Sequence, residues 1–143
     1  MLNMAVILER DMKKGKNSLN KWKTQAQQEA IRGTKFQEID SQIMEITKSD
    51  EAMAVRYSLY LLELRAPGNC VEVRVSPWGA VKILEGPESD PHNLTPPDVI
   101  ELEPSVWLRL VCAISTWDEE KEAGNISAMG ERDNLSAILP LEI

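Results

Sequence analysis

The sequence predicts an α+β protein, with a mixed or antiparallel sheet of about five strands and helices packed on one face. Three observations carry this. Apolar residues recur at helical spacing before residue 66 and again from Val106 to Ile114. Between those stretches the period shortens to two, with Val71, Val73 and Val75 alternating against Glu72 and Arg74. The two periods are also partly segregated along the chain, with three helical stretches ahead of the first strand, which suits a sheet covered on one face.

Element by element, residues 18–31 place Leu19, Trp22, Ala26 and Ala30 at helical spacing, and Gly33 ends that helix. A second stripe of roughly helical spacing follows with Phe36, Ile39, Ile43, Met44 and Ile46. Residues 47–50 read as a break and a new N-cap region. Residues 50–65 form the clearest helix, with Met53, Tyr57, Leu61 and Leu64 on one face, Tyr60 beside them and Pro67–Gly68 as the stop. A strand over 71–75, a turn at Pro77–Trp78–Gly79 and a return strand over 80–85 make a hairpin. Prolines at 87, 91, 96 and 97 make residues 86–97 a loop, because proline breaks both ladders and helix interiors.

Strand alternation resumes over 98–103 with Ile100 and Leu102 on one face. Pro104 suits a first helical turn, and Val106, Trp107, Leu110, Val111 and Ile114 form a broad apolar stripe behind it. Thr116 and Glu119 match a capping box that starts a short helix closed by Gly124. Residues 126–130 read as a strand, and Asp133 caps a last helical turn carrying Leu135, Ile138 and Leu139.

Composition bounds the function. The chain has 143 residues, 43% hydrophobic and 27% charged, which suits one ordinary globular domain. Its net charge of -7 is unevenly spread. Residues 1–48 hold 9 Lys and Arg against 6 Asp and Glu, whereas residues 49–143 hold 7 against 17. The expected organisation is a basic helical N-terminal extension, 1–48, on an acidic α+β domain, 49–143. The dispersed lysines 13, 14, 16, 21 and 23, with no aromatic interleaving beyond Trp22, do not make a nucleic-acid interface. No stretch approaches the roughly 20 apolar residues that span a bilayer, so no integral membrane association is expected. The apolar start from Met1 to Leu8 is too short for a signal peptide, and a cytoplasmic location is expected.

Chemistry-bearing constellations are thin. His92 is the single histidine and lies in the proline-rich loop, where a solvated side chain is the simplest reading. One histidine and two separated cysteines cannot assemble a zinc site, and no metal is expected. Cys70 and Cys112 lie in apolar runs and read as buried free thiols. No GxSxG, P-loop or GxGxxG is present, so no catalytic residues and no cofactor are assigned. The acidic run 118–122 reads as a solvated helix face.

The stretch DVIELEPSVWLRLVCAISTWDEEKEAGNISAMGERDNLSAILPL, residues 98–141, resembles the C-terminal half of the sterol carrier protein fold. The landmarks are Asp98–Val99, Trp107 to Leu110, Gly124–Asn125–Ile126, Gly130 and Leu135 to Leu139. Together with VEVRVSPWGAVKILEGP and TPPDVIELEPSVWL, it resembles the bacterial, actinobacterial-type branch over residues 50–141. Ala113 departs from the pattern, since the family usually has Gly there. The resemblance implies a non-enzymatic binding domain that carries or senses an apolar ligand: a lipid, fatty acid or acyl-CoA. On that reading, Trp107, Leu110, Val111, Ile114 and Trp117 from the two helices and Ile100, Leu102 and Ile126 from the sheet line a slot. Periodic apolar residues are more often core than ligand contacts, so the same residues also read as a plain core. The alternative is therefore a closed-core interaction or accessory module, self-associating through its oppositely charged segments, with no small-molecule ligand.

Overall fold

In the computed structural model, which describes residues 5–85, 98–129 and 134–143, the polar N-terminal stretch is one long helix, α1 (Met12–Ile31). It starts six residues before the stretch read as helical, and already packs there, with Gly15 buried against α3 (Lys48–Arg65). Leu19, Trp22 and Ala26 are buried and belong to the same core cluster as the sheet. A 3-10 turn at Phe36–Glu38 leads into the short helix α2 (Ile39–Gln42), which delivers Ile39 to that core and leaves Met44 exposed beyond it.

Helix α3 (Lys48–Arg65) begins where residues 47–50 predict an N-cap. Thr47 Oγ1 accepts from the Asp50 amide at 3.0 Å, and Asp50 Oδ2 accepts from the Thr47 amide at 3.2 Å. Its buried set is Ala52, Ala54, Val55, Ser58, Leu59 and Leu62, not the Met53–Tyr57–Leu61–Leu64 stripe. The reason is that α3 lies between α1 and the sheet, so small residues are covered on two sides while Leu64 stays 62% exposed. The α1–α3 contact is close at Gly15, where a Cβ would stand 2.8 Å from Tyr57 Cβ and 2.9 Å from Ile7 Cδ1.

The sheet is mixed, with four strands among the described residues where about five are expected. They are β1 (Pro67–Val75), β2 (Gly79–Ile83), β3 (Asp98–Glu101) and β4 (Ser127–Met129), in the order β2-β1-β3-β4. β1 pairs antiparallel with β2 and parallel with β3, which pairs antiparallel with β4. The four correspond to the four strand segments read from the sequence, and the C-terminal segment turns back onto α4 (Pro104–Val111), where the Leu141 amide donates to Val111 O. β1 begins at the predicted helix stop, with an irregular register between Pro67 and Val71. Gly68 is required there, since a Cβ would stand 2.0 Å from the Leu84 carbonyl.

Alternation holds along the sheet. Val71, Val73, Val75, Val81, Ile83 and Ile100 are buried under the helices, which cover this one face. On the other face Arg74 donates to Glu72 at 2.6 Å and to Glu101, its neighbour on β3, at 3.4 Å. The proline-rich loop with His92 lies outside the described residues, as do Gly130 and the expected cap Asp133. The terminal turn is present: the amides of Ile138 and Leu139 both donate to Leu135 O.

Candidate functional site

The predicted site centres on helix α4 (Pro104–Val111) and the six-residue helix α5 (Trp117–Glu122). Pro104 opens α4 after the extended Glu103, and the predicted capping box opens α5: Thr116 Oγ1 accepts from the Glu119 amide at 3.1 Å, and the Glu119 carboxylate accepts from the Thr116 amide at 2.9 Å. Every residue from Val106 to Val111 is buried, including Arg109. Between the helices the chain turns at Ala113, whose φ of 61° is left-handed, the conformation that glycine adopts without strain. A resemblance that expects Gly at this position thus has a local physical reason.

The eight predicted residues divide into three groups. Ile100, Trp107 and Val111 are 0% exposed. Trp107 is also anchored, since its indole N–H donates to Ser58 Oγ at 2.8 Å and that hydroxyl donates to Val55 O at 2.9 Å. A void wide enough for a ligand leaves its walls accessible to a water-sized probe, so the space around these three residues is filled by side chains. Leu110 and Trp117 border a cleft of about 220 Å³ at the α4–α5 corner, with Ala113, Leu139 and Pro140 as further apolar walls and Ser115, Thr116 and Asp118 as polar ones. Trp117 is 3% exposed, and its Nε1 is a buried polar side-chain atom without a hydrogen-bond partner among the described residues. Leu102 and the half-buried Ile126 border a different groove of about 320 Å³, with Arg74, Glu101 and Glu103 among its other walls. Ile114 is half-buried at the edge of the core and borders neither space. Among the described residues, the eight are thus divided between the packed core, its edge and two separate spaces.

A buried ionic network fixes the α4–α5 corner, and the sequence reading of 118–122 as a solvated face fails for Glu120, which is 0% exposed. Arg109 grips it with two parallel bonds, Nε to Oε2 at 2.7 Å and Nη2 to Oε1 at 2.8 Å. Ser115 Oγ adds a bond to Oε2 at 2.6 Å, and Asn125 Nδ2 one to Oε1 at 2.8 Å. The remaining guanidinium nitrogen, Nη1, donates to Asp40 Oδ1 at 2.8 Å, and the Phe36 ring centroid lies 5.6 Å from the guanidinium carbon. Burial works against the Glu120 carboxylate, but the bonds from Arg109, Ser115 and Asn125 outweigh it and hold the carboxyl below its ordinary value. Burial likewise opposes the Arg109 charge, and Glu120 and Asp40 reverse the balance and raise it. One signal was present in the sequence: a lone arginine inside the apolar run VWLRLV must find a buried counter-charge.

The two thiols are free, Cys112 buried and Cys70 half-buried. Burial pushes the Cys112 thiol up to about 12, which keeps it protonated and unreactive at neutral pH. Among the described residues no cluster of three metal-ligating side chains occurs, and no helix is long and apolar enough to cross a membrane.

No curated protein matches the chain. A family model described as "Bacterial SCP ortholog" matches residues 47–141, from the N-cap of α3 through the sheet and both corner helices to the segment that closes over Val111. Among the described residues the matched span contains all four strands and three of the five α-helices, so the chain belongs to the bacterial SCP ortholog family, a sterol carrier protein-like group.

Proposed function

We propose that the protein is a non-enzymatic binding domain that takes an apolar group of a small molecule (a lipid, fatty acid or acyl-CoA) at the α4–α5 corner. The observation that carries this reading is the 220 Å³ cleft walled by Leu110, Trp117, Leu139 and Pro140, which brings two of the sequence-predicted residues to an open space. Family membership supports the same class of function. The cleft is smaller than the roughly 300 Å³ at which ligand pockets usually begin. It therefore receives one end of a long ligand, each buried methylene contributing about 0.8 kcal/mol. In this reading residues 49–143 bind and residues 1–48 support them from behind α3, in a cytoplasmic protein.

The test is a titration of intrinsic tryptophan fluorescence with fatty acids, acyl-CoA and sterols, run beside a Trp117→Phe variant. A saturable change that the variant loses is expected. No saturable change with any of the three, together with no lipid in native mass spectra, refutes the reading.

A second reading is favoured by the filled space around Ile100, Trp107 and Val111. It makes the domain a closed-core interaction module, self-associating through its basic and acidic parts. Light scattering after size exclusion distinguishes it: a mass above the monomer that falls as salt rises is expected, and a salt-independent monomer refutes it.

A further inference from the structure

The lysines that look dispersed in sequence are sorted by α1. Arg10, in the 3-10 turn Glu9–Asp11 that precedes α1, and Lys13, Lys14, Asn17 and Lys21 on α1 follow one another at helical spacing, in a stripe that meets the buried one of Gly15, Ser18, Leu19, Trp22 and Ala26 at Ser18. They line an open groove of about 460 Å³ whose one carboxylate is Asp50, at the start of α3. Four cations against one anion give this groove a local charge of +3, on a chain whose net charge is -7.

Asp50 is already occupied. Its Oδ1 accepts from Ser18 Oγ at 3.1 Å, and its Oδ2 from Lys21 Nζ at 3.1 Å and the Thr47 amide at 3.2 Å. Lys14 Nζ reaches only a neutral oxygen, Ser49 Oγ, at 3.1 Å. Arg10 lies 3.9 Å from Asp11 and is 81% exposed, a loose contact. Among the described residues Lys13 and Lys14 form no ion pair with a carboxylate. The groove thus gathers three positive charges beyond what its own carboxylate neutralises, at positions where they repel one another. A polyvalent anion relieves that repulsion and uses the free ammonium and guanidinium donors, with Asn17 as a neutral donor between them. Base stacking is not provided, because Trp22 is 3% exposed and faces the core.

We propose that the Arg10–Lys13–Lys14–Lys21 groove binds a phosphate-type polyanion, presented either by a soluble phosphorylated molecule or by the headgroup of an anionic phospholipid. The site is separate from the α4–α5 cleft and stands whether or not that cleft binds an apolar group.

The experiment uses the full chain and two probes. Inorganic pyrophosphate is titrated while the backbone amide resonances are followed. In parallel, co-sedimentation is measured with phosphatidylcholine vesicles and with vesicles containing phosphatidylglycerol. A saturable shift confined to residues 10–21 and 47–50, weakened at least about tenfold by Lys13→Glu with Lys14→Glu and reduced by salt, is expected for a soluble source. Co-sedimentation with the anionic vesicles only, lost in the same variant, supports the headgroup source. Absence of both responses, equal co-sedimentation with neutral vesicles, or binding unchanged in the double variant overturns the proposal. The milder pair Lys13→Gln with Lys14→Gln, checked by circular dichroism, gives an intermediate loss and separates charge from any folding defect.

Discussion

Replacing Glu120 with leucine removes the acceptor of four hydrogen bonds at once while leaving an apolar side chain of similar size. The donors left behind are Arg109 Nε and Nη2, Ser115 Oγ and Asn125 Nδ2, all of which meet Glu120 between 2.6 and 2.8 Å. Arg109, 3% exposed, keeps Asp40 as its one ion-pair partner among the described residues. Removing one partner of a buried pair costs about 3–5 kcal/mol, chiefly because a buried charge is left unmatched. With a urea slope of about 2 kcal/mol per molar, the unfolding midpoint should fall by roughly 1.5–2.5 M. The double variant Arg109→Met with Glu120→Leu removes the orphaned charge as well, and should recover most of that loss. Urea denaturation followed by circular dichroism reads both. A single-variant loss below about 1 kcal/mol, or a double variant as unstable as the two singles summed, refutes the reasoning.

Four further outcomes follow from the same geometry. Because Glu120 is held below its ordinary value when folded, the unfolded chain binds its proton more readily. The stability it contributes is complete above the unfolded glutamate value of about 4.3 and is lost as pH falls through the folded value. Urea midpoints measured from about pH 6 to about pH 3 should therefore fall more steeply in wild type than in Glu120→Leu, and parallel profiles refute the assignment. Ala113→Gly should stabilise by about 0.5–1 kcal/mol, since the exposed Ala113 holds a φ of 61°; destabilisation on thermal melting counts against this. Trp22→Ala should destabilise by about 3–5 kcal/mol if α1 folds as one cooperative unit with the sheet, and a loss under about 1 kcal/mol would make residues 1–48 a separable extension. Cys112, with its thiol raised to about 12, should resist thiol reagents at mildly alkaline pH until denaturant is added; native-state labelling of Cys112 refutes its burial.

The elements legible in the sequence were those fixed by local rules. The α3 cap at Thr47 and Asp50, the hairpin around Pro77–Trp78–Gly79, Pro104 at the start of α4 and the box at Thr116 and Glu119 all depend on neighbours within a few residues. What escaped depends on partners far along the chain. The buried face of α3 is built from Ala54 and Ser58, which carry little periodic signal and are covered because α1 and the sheet close on both sides. Glu120 looks like its solvated neighbours Glu119 and Glu122 and is distinguished only by meeting Arg109. The eight predicted site residues were recognised as apolar, and six are buried, but periodicity cannot distinguish a filled interior from the wall of a cleft.

The bond from Arg109 to Asp40 joins residues 69 positions apart, and this bears on the order in which the protein is made. At about 5–20 residues per second, Asp40 leaves the ribosome roughly 3–14 s before the arginine that clasps it. Once α3 has emerged the apolar stripe of α1 can pack on it, but until Arg109 follows the 36–42 segment lacks its ionic clasp. Nascent chains stalled before Arg109 should therefore be protease-sensitive around Phe36, and chains extended past Asn125 should become resistant there. The N-terminal third waits for the last quarter of the chain to secure it.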